Sequence, residues 1–495
     1  MAYGHKGDFA YENTGDALVE FFSKAGSLMK GRETYHGSPE GILSLFTDAW
    51  DADEYKAMQL AFWLRDCRRG AGAGNRSGAR EAINWIATNH PEWINANIHI
   101  IPEVGRWDDL IALFDTPCES TAVKYWVEAI QSENGLAAKW APREKNNKSI
   151  YHKLRKAIGL DPKSFRKLIA HNTKVVETFM CNKAWNDINY NHVPSVAMAR
   201  SVTAFSKHDP ERFQAWKESL KDPESKNKIH AEVLFPHDCI RTLKADLSSA
   251  AKGGFYTWSK NRSHDGEEYF DSEIANAQFA ALPDYMSKTK MRLICLCDFS
   301  GSMVTPVSGS VEAIDVSMGL GLYCSDRIGK DNPFYRKFIP FSDNSRLVDW
   351  SEDTFSVAVQ KHNDGWCGST NITSALDQIL DAAKLFKATK DQIPNCLLVI
   401  SDMQFDPGSN GEKTAIEACM DKWVEAGYDK PVIVYWNLGD SSTSPATSDS
   451  EDVALVSGFS PSILTAVLEG DDFSPIGVME RAIAKYNVVD PRKVK

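Results

Sequence analysis

The sequence predicts a helical N-terminal half followed by an α/β half built on a parallel sheet, and three observations carry that prediction. Apolar residues recur every three to four positions from about residue 16 to residue 245, the period of helices with one buried face. From residue 291 onward, short apolar runs alternate with amphipathic stretches, the pattern of a parallel sheet covered by helices on both faces. The charge divides at the same place. Residues 1–290 balance 38 basic against 38 acidic side chains, whereas residues 291–495 carry 18 against 29 and so hold the whole net charge of −11. A chain of 495 residues is too long for one ordinary core, which agrees with two units of different surface.

In the first unit, residues 1–245, "DALVEFFSKAGSLM" begins at Asp16, a residue suited to cap a helix, and buries Leu18, Phe21, Phe22 and Leu28. "YKAMQLAFWLRD" repeats the same spacing, and "SGAREAINWIATNHPEW" stops at Pro91, as a helix should. "RWDDLIALFD", "STAVKYWVEAIQ" and "KVVETFMCNKAW" read alike. Short helices separated by Pro, Gly or Asn predict stacked helical pairs, although no clean internal period marks a regular solenoid. Residues 246–290 turn rich in Gly, Ser, Asn and charge ahead of a short helical "SEIANAQFAALPDYM", and read as the junction.

In the second unit, residues 291–495, "MRLICLCD", "FYRKFIPFS", "SRLVDW", "NCLLVISD" and "KPVIVYWNL" read as strands. "VEAIDVSMGLGLYCSD", "ITSALDQILDAAKLF" and "KTAIEACMDKWVEAG" read as the helices between them. Such sheets bind ligands beyond the carboxyl ends of their strands. Three oxygen-rich loops fall there: Asp298, Ser300 and Ser302 in "LCDFSGSM", Ser369, Thr370 and Asn371 in "DGWCGSTNI", and Asp402 followed by Asp406 in "SDMQFD". Carboxylates and hydroxyls are hard donors suited to Mg²⁺ (or Mn²⁺), and so few carboxylates leave a position open for an acidic group of a partner. The plainer alternative is that these residues cap the following helices and satisfy turns.

D-x-S-x-S after an apolar strand, then a Thr loop, then an Asp after another strand, resembles the metal-ion-dependent adhesion site (MIDAS) of von Willebrand factor A domains. The resemblance covers about residues 291–495 and implies a Rossmann-like A domain with Asp298, Ser300, Ser302, Thr370 and Asp402 as metal ligands. "SDMQFD" departs from the "TDG" of many such domains. Upstream, "AFWLRDCRRGAGAGNR", "IPEVGRWDDLIALF" and "VVETFMCNKAWNDINYNHVPSVAMAR" resemble a family of eukaryotes and viruses that pairs a helical region with an A domain. That layout is similar to the Ro ribonucleoproteins, whose TROVE module is a ring of HEAT-like helical repeats. It implies an RNA partner, small non-coding or misfolded, for the helical half.

The residues themselves supply cations for such a partner. Ten basic side chains lie between Arg143 and Lys174 against only Glu144 and Asp161; Lys148, Lys153, Arg155, Lys156, Arg166 and Lys167 are the candidates among them. A second cluster, Arg65, Arg68, Arg69, Arg76 and Arg80, surrounds "GAGAG". Trp140, Tyr151 and Phe165 interleave with the first cluster as rings able to stack on bases, although the spacing of Phe165 from Leu168 and Ile169 points to a core position. Two other uses stay open: the basic face docks onto the acidic half, or the protein is a metal-dependent interaction scaffold without nucleic acid. Asp108 and Asp109, being adjacent on a helix, are expected to diverge and to serve a helix start.

Other classes find no support. The ten cysteines form no CxxC pair, and the twelve histidines show no metal-ligand spacing. Neither HExxH nor GxSxG occurs, so no enzymatic activity is expected. The first residues lack a basic stretch followed by an apolar one, and no apolar run reaches membrane-spanning length, so the expectation is a cytoplasmic protein without membrane contact.

Overall fold

The computed structural model describes residues 2–3, 9–27, 41–67, 72–173, 176–220, 222, 224–231, 234–250, 272–304, 306–308, 311–341, 345–362, 371–405, 415–439, 443–468 and 472–493. After a small antiparallel pair, β1 (Ala2–Tyr3) and β2 (Phe9–Ala10), the N-terminal region is helical. Its first helices are α1 (Ala17–Lys24), α2 (Ile42–Ala52), α3 (Glu54–Arg65), α4 (Arg76–Asn89), α5 (Pro91–Asn97) and α6 (Ile100–Val104). A 3₁₀ segment, Trp107–Leu113, leads to α7 (Glu119–Gln131), α8 (Gly135–Trp140), α9 (Lys148–Ile158) and α10 (Pro162–Asn172). Then come α11 (Val176–Cys181), α12 (Ser195–His208), α13 (Pro210–Ser219), α14 (Pro236–Ala250) and α15 (Glu273–Ala280).

The caps follow the sequence. Asp16 accepts a hydrogen bond from the Val19 N–H at 2.9 Å and starts α1, and Asp161 accepts from Lys163 and Ser164 to start α10. Pro91 opens α5 just after α4 has ended at Asn89. "RWDDLIALFD" forms the tighter 3₁₀ segment in place of an α-helix.

The α/β region begins with β3 (Leu293–Asp298), the hairpin β4 (Pro306–Ser308) and β5 (Val311–Glu312), and α16 (Ala313–Arg327). It continues with β6 (Lys337–Phe341), β7 (Val348–Asp349), α17 (Phe355–His362), α18 (Ile372–Leu385) and β8 (Cys396–Ser401). The last elements are α19 (Ala415–Glu425), β9 (Val432–Asn437), β10 (Val453–Ser457), α20 (Ile463–Leu468) and α21 (Pro475–Ile483). Six strands form one sheet in the order β10-β9-β8-β3-β6-β7, all parallel except the edge strand β7. The fold class is as the sequence predicts, a helical region followed by an α/β unit. Strand β10, only five residues long and set behind a polar loop, adds to the strands read from the sequence.

Strand alternation assigns the two faces of the sheet. Ile294, Leu296, Leu397 and Val399 point toward α18 and α19 in one core. Cys295, Cys297, Leu398 and Ile400 point the other way, into a second core that also contains Val19, Phe22, Trp63 and Trp93 of the helical region. The two halves therefore share one apolar interior. Helix α1 lies on β10 and α21, and α14 lies on α16. At the seam the Gly26 N–H donates to the Ser457 hydroxyl at 2.9 Å, and the Ser27 hydroxyl donates to the Gly439 carbonyl at 2.5 Å. Near the end of the chain, Asn97 donates to the Val489 carbonyl and accepts from its N–H, while Arg492 pairs with Glu54 at 2.7 Å. Among the described residues no helix is long and apolar enough to cross a membrane.

Candidate metal centre and basic surface

In the parallel part of the sheet the chain reverses direction of growth between β3 and β8, and crevices at such switch points receive ligands. Asp298 closes β3 and Asp402 follows β8, so both carboxylates stand at this point. Asp298 is fully buried; its Oδ2 accepts from the Ser401 hydroxyl at 2.5 Å and its Oδ1 from the Ser300 N–H at 2.8 Å. The Ser300 and Ser302 hydroxyls lie 3.1 Å apart on the same loop. Asp402 is also buried and accepts from the Gln404 N–H at 3.2 Å. Met403 takes a left-handed φ of 64°, which turns "SDMQF" away from the strand directly behind the carboxylate.

Burial, reinforced by the negative charge of Asp402, pushes the Asp298 carboxyl up to about 7. The negative charge of Asp402 reaches the buried Asp298 carboxyl, and a divalent cation held by both would relieve their repulsion. The donor set (two carboxylates and the Ser300 and Ser302 hydroxyls) is hard and of low charge, so it fits Mg²⁺ or Mn²⁺ and not a soft ion. Among the described residues no group of three or more His, Cys, Asp or Glu side chains forms a metal cage. Thr370, Ser369 and Asp406 lie outside the described residues. Ser401, which holds Asp298 from the neighbouring strand, was not among the expected site residues; as a strand-end Ser beside Asp402 it offered only "ISD" as a signal.

The expected nucleic-acid residues separate into three groups. Arg65 is corrected: its side chain is 3% exposed and its Nε donates to Asp109 Oδ2 at 2.6 Å, so it braces the interior and faces no ligand. Lys153 is tied to Glu119 at 2.8 Å and reaches Asp115, and Arg155 is half-buried with Nη1 on the Leu160 carbonyl at 2.6 Å. Arg76 pairs with Asp108 yet stays 42% exposed. The third group, Lys148, Lys156, Arg166 and Lys167, is exposed on α9 and α10, with Lys145 and Lys163 exposed beside them. Arg68 and Arg69 lie outside the described residues.

The α9–α10 pair owes its shape to Gly159, whose φ of 78° caps α9, and to an edge contact between the Tyr151 and Phe165 rings 5.4 Å apart. Both rings are buried, so Tyr151 joins Phe165 in the core and stacks on no base. Trp140 is half-buried, with the Arg106 guanidinium 4.2 Å above its ring. Asp108 and Asp109 do not diverge as expected. Asp109 turns back to accept from the Arg106 N–H at 2.8 Å, which is the helix-start role, and both carboxylates meet one group of arginines.

Among the described residues, the main packing of the basic pair lies within the helical half. Helix α9 packs on α7, and α10 packs on α8. Among the described residues, the ion pairs that cross between the halves use Lys56, Lys244, Lys485 and Arg492, and none uses residues 143–173.

Different family models match the two parts of the chain. The model of a domain of unknown function, DUF7788, matches residues 292–491. The uncharacterized protein L728 of Acanthamoeba polyphaga mimivirus is 24% identical over 547 residues, covering 99% of this chain and 88% of that protein. The crystal structure of the Deinococcus radiodurans Ro (RSR) protein aligns with a TM-score of 0.48 at 15% identity, over 96% of this chain and 99% of that one. A second model, a domain of unknown function named DUF2828, matches residues 4–126 and 118–290, more than half of the sequence, and the chain belongs to the DUF2828 family.

Proposed function

We propose that this protein is a non-enzymatic, Ro-like RNA-binding protein whose helical half holds RNA phosphates on the α9–α10 pair. One observation carries the reading: Lys145, Lys148, Lys156, Lys163, Arg166 and Lys167 are exposed, and among the described residues none has an acidic partner. Unneutralised cations at this density attract a polyanion and release its counterions on binding. The α/β half supplies a second function, a Mg²⁺ or Mn²⁺ held by Asp298, Ser300, Ser302, Thr370 and Asp402 that recruits an acidic group of a protein partner. The buried carboxylate pair at the switch point supports that part.

Binding of a single-stranded oligoribonucleotide to the full chain, followed across a range of salt, tests the RNA reading. Affinity falls with salt as a power law, with a slope set by the number of phosphates neutralised. A protein that binds no oligoribonucleotide at low salt but takes up Mn²⁺ is a metal-dependent interaction scaffold instead, the reading favoured by the carboxylate pair alone.

A further inference from the structure

Away from the metal centre, four guanidinium groups gather on two carboxylates. Asp109, fully buried, receives Arg65 Nε at 2.6 Å and Arg80 Nε at 2.7 Å. Asp108 receives Arg76, Arg80 Nη2 at 3.3 Å and Arg106 Nε at 3.1 Å. Arginine stays charged in proteins, so in the ion pairs among the described residues four cations meet two carboxylates, an excess of two. Bracing α3 and α4 against the 3₁₀ segment needs one guanidinium per carboxylate; the surplus asks for another anion.

The surplus faces outward. The Arg65 side chain is sealed at 3% exposure, but Arg76, Arg80 and Arg106 keep 42%, 25% and 29%. Burial, with the nearby Arg80 guanidinium, pushes the Arg76 pKa down. The two aspartates fix the arginine planes before any ligand arrives, which lowers the entropic cost of binding. Arg106 also lies over Trp140, a ring that closes α8 a few residues before the basic α9.

We propose that the outer edges of Arg76, Arg80 and Arg106 form a phosphate site for the nucleic-acid backbone, with Trp140 at its margin. The phosphate takes the fork-shaped N–H donors that Asp108 and Asp109 leave over, the geometry in which arginine binds oxyanions best. This deepens the RNA reading and rests on it for the identity of the polymer.

The test is calorimetric titration of inorganic phosphate into the full chain. Wild type gives a saturable heat, Arg76→Gln weakens the affinity about tenfold, and Lys384→Ala, exposed at the end of α18 in the other half, leaves it unchanged. Absence of a saturable heat in wild type, or equal affinity in Arg76→Gln, overturns the site. Should Arg76→Gln fail to fold by circular dichroism, Arg106→Lys keeps the charge, loses the planar fork, and serves the same comparison. The RNA reading is scored separately with a short oligouridylate. Loss of its binding in Arg166→Glu/Lys167→Glu, together with an Arg76-dependent phosphate heat in the otherwise wild-type chain, supports both statements. No oligouridylate binding by any variant, together with an Arg76-dependent phosphate heat, removes the RNA reading and leaves an anion site.

Discussion

The hydroxyl of Ser401, on β8, reaches across to Oδ2 of Asp298, on β3, at 2.5 Å. The strand that leads into one carboxylate of the proposed metal centre thereby positions the other. Ser401→Ala removes a hydrogen bond to a buried acceptor and costs about 1–3 kcal/mol of stability in metal-free protein. Urea denaturation of the two proteins, with chelator present, measures it; equal midpoints count against the role.

Asp298 also fixes a pH dependence. Its folded pKa, about 7, lies above the ordinary carboxylate value, so the native state holds the proton where the unfolded state has released it. Its contribution is most favourable at acidic pH and declines as pH rises through the interval from about 4 to 7. Metal-free wild type therefore loses stability over that interval relative to Asp298→Asn, and saturating Mn²⁺ offsets the loss. Parallel stability–pH curves for the two proteins refute this.

Gly439 gives a way to disturb the centre without touching a ligand. A Cβ there would stand 2.5 Å from the Asp402 Cβ. Gly439→Ala displaces that carboxylate, and Mn²⁺ affinity measured by calorimetry falls at least about tenfold, as expected when a ligand loses its place. Retained affinity in a folded Gly439→Ala protein argues that Asp402 is no ligand.

The two kinds of arginine separate in mutagenesis. Arg65→Ala leaves Asp109 short of a buried partner and costs about 3 kcal/mol. Lys167→Ala, on the exposed surface, changes stability by less than about 0.5 kcal/mol. It lowers the slope of log affinity for oligoribonucleotide against log salt by about one. Thermal melts and salt-dependent gel shifts together decide whether the basic residues divide in this way.

The sequence exposed the sheet and the loops at its carboxyl edge because parallel strands are short apolar runs and Asp298 and Asp402 follow two of them directly. It also located the cationic pair, since ten basic residues in so short a span leave an excess on any helix. It did not reveal which cations are spent internally. Arg65 and Arg166 look alike in sequence, and only the fold places Asp109 beside the first. Adjacent Asp108 and Asp109 were expected apart because a regular helix separates neighbours by about 100°. In the first turn of a 3₁₀ segment one of them bends back onto Arg106 N–H, and Arg65 of α3, Arg76 and Arg80 of α4 and Arg106 itself close the gap. The seam between α1 and the sheet, built on Gly26 and Ser457, left no periodic trace, because contacts 431 positions apart follow no local rule.

That common interior makes the two halves thermodynamically inseparable. Val19 and Phe22 of α1 are covered in the same core as Val456 of the last strand, and a chain cut between residues 290 and 291 would bare both surfaces to water. Heating should melt helices and sheet in a single transition, and recombinant fragments of either half should precipitate unless they are co-expressed.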